Sequence, residues 1–143
     1  MSRYYYGSGN DRSFPLGGTA KLLNVASYKY GDDWHCVPHT HNHTELFFIV
    51  SGKGQFLIQD QAVPVDVNNL VIINPNIPHA ETSLSAQPLE YIVLGISGIE
   101  LATGENSNGQ FCVLDHYESL EITSCLRNLL RETELQKPGY EDI

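Results

Sequence analysis

Between residues 44 and 98, short apolar runs alternate with polar punctuation. The run "ELFFIV" is apolar at successive positions, the pattern of a strand buried on both faces. In "QFLIQ", Phe56 and Ile58 oppose Gln55, Leu57 and Gln59, the period-two signature of a strand with one buried face. "LVII" and "EYIVLGI" add two more strands. The breaks carry turn residues: Ser51-Gly52-Lys53-Gly54, Asp60-Gln61, Asn68-Asn69, Pro75-Asn76-Ile77-Pro78, Gln87-Pro88 and Gly98. Residues 51–54 are expected to form a hairpin turn, with both glycines supplying positive φ angles. Short strands at this spacing predict an all-β sandwich or barrel.

Near residue 115 the period changes. Asp115, with Glu118 three positions on, has the form of a capping box. Ile122, Cys125, Leu126, Leu129 and Thr133 then fall on one helical stripe, which predicts a helix over 116–136 that packs on the β-domain. Leu120 and Leu135 lie off the stripe and are free to serve a second surface. Lys137-Pro138-Gly139 closes the helix. At the other end, "RYYYGSGNDRSFPLGG" reads as a loop-like arm whose tyrosines can fold over a cavity. The chain thus divides into an arm (1–19), a β-domain (20–114) and a helical segment (115–143).

Composition narrows the class. The 143 residues, 41% apolar and 17% charged, suit one globular domain. Cys36, Cys112 and Cys125 form no paired framework, no run reaches membrane-spanning length, and the start lacks a signal-peptide pattern. A soluble cytoplasmic protein is the expectation. The net charge of −9 argues against nucleic-acid binding by this chain itself, since phosphate contact needs a basic face.

The candidate chemistry lies in "PHTHNHTELFFIVSGKG", residues 38–54. Strand alternation puts His39 and His41 on one face. His43 joins them only if the strand runs straight on, which Asn42 and Thr44 oppose, so it reads as a rim residue. Glu45 opens the next strand, and His79 follows a Pro-x-x-Pro turn. If the β-domain closes, three imidazoles and a carboxylate converge. That mixed nitrogen and oxygen set suits Zn, Ni, Mn or non-haem Fe without choosing among them. Trp34, Phe47, Ile49, Phe56 and Tyr91 lie near the cluster in sequence or on the expected strands. An aromatic face there can stack on a sugar ring while His and Glu bond its hydroxyls, and the same residues serve equally well as core. His35 and His116 read as surface or packing residues.

"HTHNHTELFFIVSG" fits the first cupin motif, H-x-H-x3-E-x6-G, as His39, His41, Glu45 and Gly52. "NNLVIINPNIPH" resembles the second motif, ending at His79. Over residues 20–137 the chain resembles the N-terminal ligand-sensing domain of AraC-type transcription regulators. It departs from the pattern at Asp33, where the first motif opens with glycine, and at Asn68 and Asn76, which replace glycines of the second. Asparagine tolerates left-handed backbone, so those turns can survive.

The resemblance implies a cupin-like double-stranded β-helix, a jelly-roll barrel followed by helix. It implies a small-molecule effector, which includes sugars, and a homodimer. It also implies DNA contact through helix-turn-helix units that follow beyond residue 143, which makes 115–143 the start of a dimerisation region. Carried onto this chain, the pocket residues are His39, His41, Glu45 and His79, with Trp34, Phe47 and Tyr91 as further ligand contacts. Cupin enzymes hold a metal with three histidines and a glutamate, whereas AraC-type sensors often use the same cavity without metal, so a divalent metal and a metal-free site both stay open. No catalysis is expected. A small metal-dependent cupin enzyme is the main alternative, and a stand-alone binding module the third.

Overall fold

The architecture was read from a computed structural model, which describes residues 2–5, 14–15, 20–30, 37–84, 86–98, 109–114, 121, 124, 125, 127–129 and 131. Among these described residues ten strands follow in chain order: β1 (Ser2–Tyr5), β2 (Phe14–Pro15), β3 (Lys21–Lys29), β4 (Thr44–Ser51), β5 (Gly54–Ile58), β6 (Gln61–Val65), β7 (Leu70–Ile73), β8 (His79–Ser83), β9 (Glu90–Ser97) and β10 (Phe111–Leu114). They form two antiparallel sheets. The larger runs β1-β3-β9-β4-β7-β10, with β2 also paired to β3; the smaller runs β6-β5-β8.

Alternation of side chains explains how the sheets stack. Phe47, Ile49, Val71, Ile73, Tyr91 and Val93 of the large sheet meet Phe56, Ile58 and Val65 of the small one in a shared core. The intervening residues of the large sheet, among them Phe48, Leu70, Ile72, Ile92 and Leu94, form a second apolar layer on its other face. Leu129 packs against that layer. The continuous apolar runs therefore have a physical cause: β4, β7 and β9 lie under cover on both faces, while β5 alternates because only Phe56 and Ile58 face inward.

Three expectations need correction. Residues 51–54 do not join a hairpin: β4 pairs with β9 and β7, β5 pairs with β6 and β8, and the link passes from one sheet to the other. Gly52 is still required there. It has a φ of 82°, and a Cβ would run into the Pro88 carbonyl. The hairpin is instead β5–β6, where Ile58 pairs with Gln61 and Gln59 takes a φ of 53°.

The arm is not wholly irregular. Residues 2–5 and 14–15 pair along β3 and extend the large sheet. On the helical segment, 121, 124, 125, 127–129 and 131 are helical, and Leu129 packs as expected, but Cys125 is exposed. Cys125 therefore does not share the buried face that Leu129 occupies. Ile122, Leu126, Thr133, Leu120, Leu135 and the cap at Asp115 lie outside the described residues. The substituted asparagines do take left-handed backbone: φ is 69° at Asn68 and 65° at Asn76. Among the described residues no helix is long and apolar enough to cross a membrane.

Candidate metal and ligand site

Two short hydrogen-bond patterns bring distant histidines together. His39 and His79 exchange backbone bonds at 2.9 and 3.0 Å, forming a one-residue bridge. The Asn76 amide donates to the His41 carbonyl at 2.7 Å, so the turn before His79 is tied to the loop that carries the other two imidazoles. The loop is not a regular strand, and residues 42–43 bend. Convergence of His39 with His41 therefore comes from these ties as much as from alternation.

The ring centroids of His39 and His79 lie 4.4 Å apart, those of His39 and His41 5.0 Å, and those of His41 and His79 5.8 Å. One donor atom from each of His39, His41, Glu45 and His79 falls within 4.8 Å of the others. Donors about 2.1 Å from a common ion can stand at most about 4.2 Å apart, so closing on a metal needs only a small contraction.

The tautomers suit that role. The Nδ1 atoms of His39 and His79 lie 3.1 and 2.9 Å from the carbonyls of Val37 and Ile77. A carbonyl only accepts, so each Nδ1 donates, which leaves Nε2 to face the cavity. His79 Nε2 approaches Glu45 Oε1 to 2.9 Å, and His41 Nε2 approaches it to 3.4 Å. Both atoms are buried, and neither has a hydrogen-bond partner elsewhere among the described residues. A proton shared along this contact satisfies them, and a cation bound to both would do the same. The residues present thus fit a divalent metal.

Without a metal, a proton serves instead. Burial disfavours charged His79, but the Glu45 carboxylate and the Ile77 carbonyl outweigh it and hold the imidazole above its ordinary 6.5. Burial likewise disfavours ionised Glu45, and His79 above all, with His41 and His43, overcomes it and holds the carboxyl below 4.5. His41 and His43 are pushed down, mainly by burial.

The cluster opens into a cavity of about 500 Å³. Phe47 and Tyr91, both expected as ligand contacts, are in its wall; Trp34 lies outside the described residues. Phe47 packs edge-on to Tyr91 at 5.3 Å and to His79 at 5.9 Å, so it serves core and cavity at once. His43 also lines the cavity, with its ring 5.0 Å from that of His41. Sequence reasoning missed Asn24, Tyr28, Glu81 and Val93. Glu81 was findable: it lies two residues after His79 on β8, hence on the same face. Tyr28 and Asn24 were not, because only the β3–β9 register sets Tyr28 opposite Tyr91, with the rings stacked at 5.5 Å, and Asn24 opposite Gly95. Burial pushes Glu81 above 4.5 despite nearby His39 and His79, with Glu45 adding to the shift.

The two antiparallel sheets, their shared core and the His/Glu cluster between them define a cupin. The chain belongs to the family of AraC-like ligand binding domains, whose sequence profile matches residues 24–141. Among solved structures it is similar to YhaK from Escherichia coli, at 17% identity and a TM-score of 0.58 over 79% of this chain and 50% of that one. An RmlC-like cupin from Shewanella frigidimarina aligns at 14% identity and a TM-score of 0.46 over 70% of this chain and 97% of that one. The DMSP lyase DddQ from Ruegeria pomeroyi aligns at 21% identity and a TM-score of 0.46 over 71% of this chain and 58% of that one. No curated protein matches the chain.

Proposed function

We propose that this domain is the effector-sensing module of a transcription regulator, which binds a small polar molecule in the cavity and transmits its occupancy to DNA-binding units attached in the full-length protein. The carrying observation is the cavity itself: three imidazoles and two carboxylates converge beside an aromatic wall, inside a domain of the AraC-like ligand-binding family. Sugars belong to the ligand class this wall accommodates, because Tyr28 and Tyr91 offer ring faces while the polar groups bond hydroxyls. His39, His41, Glu45 and His79 would hold a divalent metal, and the chemistry supplied there would be Lewis-acid polarisation of a ligand oxygen. The helix over the large sheet supplies the surface through which two copies pair.

An effector can act in this way only by binding two arrangements of the protein with different affinity. The test is a thermal-shift screen of metals and small molecules on wild type, His41→Ala and Glu45→Gln. A hit should stabilise wild type alone, and the same compound should change DNA binding of the full-length protein. A compound that binds without altering DNA binding would sink the regulatory reading.

The second reading is a metal-dependent cupin enzyme, favoured by one observation: the His/Glu donor set faces an open cavity instead of being closed over. Turnover of a bound compound, lost with the metal and in His79→Ala, would decide for it.

A further inference from the structure

The turn 74–78 lies between the histidine cluster and β10, the last strand of the large sheet, and is tied to both. On the cluster side, the Asn76 amide donates to the His41 carbonyl at 2.7 Å, and His79 Nδ1 donates to the Ile77 carbonyl at 2.9 Å. On the far side, the Asn74 amide donates to the Gln110 carbonyl at 2.9 Å, and Asn74 Nδ2 donates to the Gly109 carbonyl at 3.1 Å. Asn74 is only 5% exposed, so its side-chain amide makes this contact away from solvent.

The turn is stiff. Pro75 and Pro78 fix their own φ and disfavour helical backbone at Asn74 and Ile77, while Asn76 holds left-handed backbone at 65°. Ile77 also packs against the inner core. A segment with so few free dihedrals passes a displacement on instead of absorbing it. β10 is placed to receive it. The strand starts at Phe111, directly after the two carbonyls that Asn74 holds. Phe111 packs against the inner core, and Cys112 and Leu114 against the outer layer, so a shift at the start of β10 is felt on both faces of the sheet.

We propose that the turn 74–78 is a coupling device: it passes closure of the His39, His41, Glu45 and His79 cluster to the start of β10, with the Asn74 side chain as its outgoing link. This rests on reading the domain as a sensor, and it names the route by which the cavity reports its occupancy. The displacement begins at the donors. They stand within 4.8 Å of one another, whereas a common ion allows at most about 4.2 Å. His41 and His79 are both bonded to the turn, so drawing the donors together pulls on it. A contiguous set of bonds through elements that move as units is the physical requirement for such coupling.

The experiment titrates zinc ion into the purified chain and follows backbone amide resonances by NMR. Wild type is compared with Asn74→Ala, which removes the bond to Gly109. Asn74→Leu removes it while keeping the volume and covers the case in which alanine perturbs the fold; thermal melts check both. In wild type, zinc should move the amide resonances of His41, Asn76 and His79 and also those of Gln110 to Leu114. The readout is the size of the β10 response relative to that at Asn76. That ratio should fall about twofold in both variants, because one of two comparable bonds from Asn74 to residues 109–110 is gone.

Zinc responses confined to the cluster in wild type would overturn the proposal whatever the variants do, and so would a wild type that binds no zinc. A ratio unchanged in the folded variants would also overturn it: if Asn74 only holds the fold together, the responses at Asn76 and at β10 weaken alike. The sensor reading would survive each of these results, since it is decided by whether a bound compound alters DNA binding.

Discussion

At the scale of single residues, the His79–Glu45 contact makes stability depend on pH in a defined direction. His79 holds its proton more tightly in the folded chain than at its ordinary 6.5, so its contribution is complete below that value and is lost as pH rises through the raised pKa. Glu45 is held below 4.5, so its contribution is present above 4.5 and lost as pH falls through the lowered pKa. The pair is therefore intact from 4.5 to somewhat above 6.5. Thermal melts of wild type and His79→Gln in chelator should differ most in that interval, and the difference should narrow toward alkaline pH. A difference that does not vary with pH would show that the two groups do not pair as charges.

Metal competes for the same two atoms, so its affinity should rise with pH as His79 gives up its proton. Gly95 sets a second residue-scale case. A Cβ there would sit 2.7 Å from Asn24 Nδ2 and 2.9 Å from His43 Nε2, both at the far ends of side chains that can yield. Gly95→Ala should cost only about 1 kcal/mol while displacing His43 from the cavity wall. The ring-proton resonances of His43 will report that displacement, and their constancy would argue that the cavity wall had not changed.

At the scale of elements, turns control whether the site assembles. Asn76 sits at a φ of 65° and donates to the His41 carbonyl, so it shapes the turn before β8 and ties it to the histidine loop. Asn76→Ala should cost about 1 kcal/mol from backbone strain alone, and Asn76→Gly should be close to neutral. Denaturant melts check the first difference, and metal titration shows whether the loop tie survives. Equal stability of the alanine and glycine variants would mean that the turn relaxes.

The same elements show what was legible in the sequence. Phe56 and Ile58 alternate with the less buried Gln55, Leu57 and Gln59 because one face of β5 meets water, and that rule needs no knowledge of the partner strand. "ELFFIV" and "LVII" announced burial on both faces, but not which sheet each joins. Residues 51–54 look like a hairpin because Gly52 does take positive φ; the same geometry also serves a strand that leaves one sheet for the other, and local turn chemistry cannot distinguish them. His39, His41 and Glu45 were close in sequence and His79 followed a marked turn, so the donor set was readable. Tyr28 and Asn24 were not, since their places depend on the pairing of β3 with β9, a long-range fact that no short motif carries.

At the scale of the whole molecule, the site bridges the two sheets. Glu45 belongs to β4 of the large sheet, and His79 and Glu81 belong to β8 of the small one. A ligand or metal that engages both must favour the state in which the sheets are docked, because the unfolded chain does not present these groups together. Binding only to the folded state at a free concentration of 100 times Kd adds about 2.7 kcal/mol. For a chain of 143 residues that amounts to a rise in Tm of roughly 10 °C. We expect nickel or zinc at that saturation to raise the Tm of wild type by this amount. In His79→Ala, which removes the small sheet's share of the donors, most of the rise should vanish. Leu129→Ala, far from the donors on the outer layer, should lower the starting Tm and leave the metal-induced increment intact. If the increment disappeared in Leu129→Ala as well, occupancy of the cavity would depend on the helix packed behind the large sheet. If it persisted in His79→Ala, the metal would be held elsewhere and the two sheets would not be bridged by it.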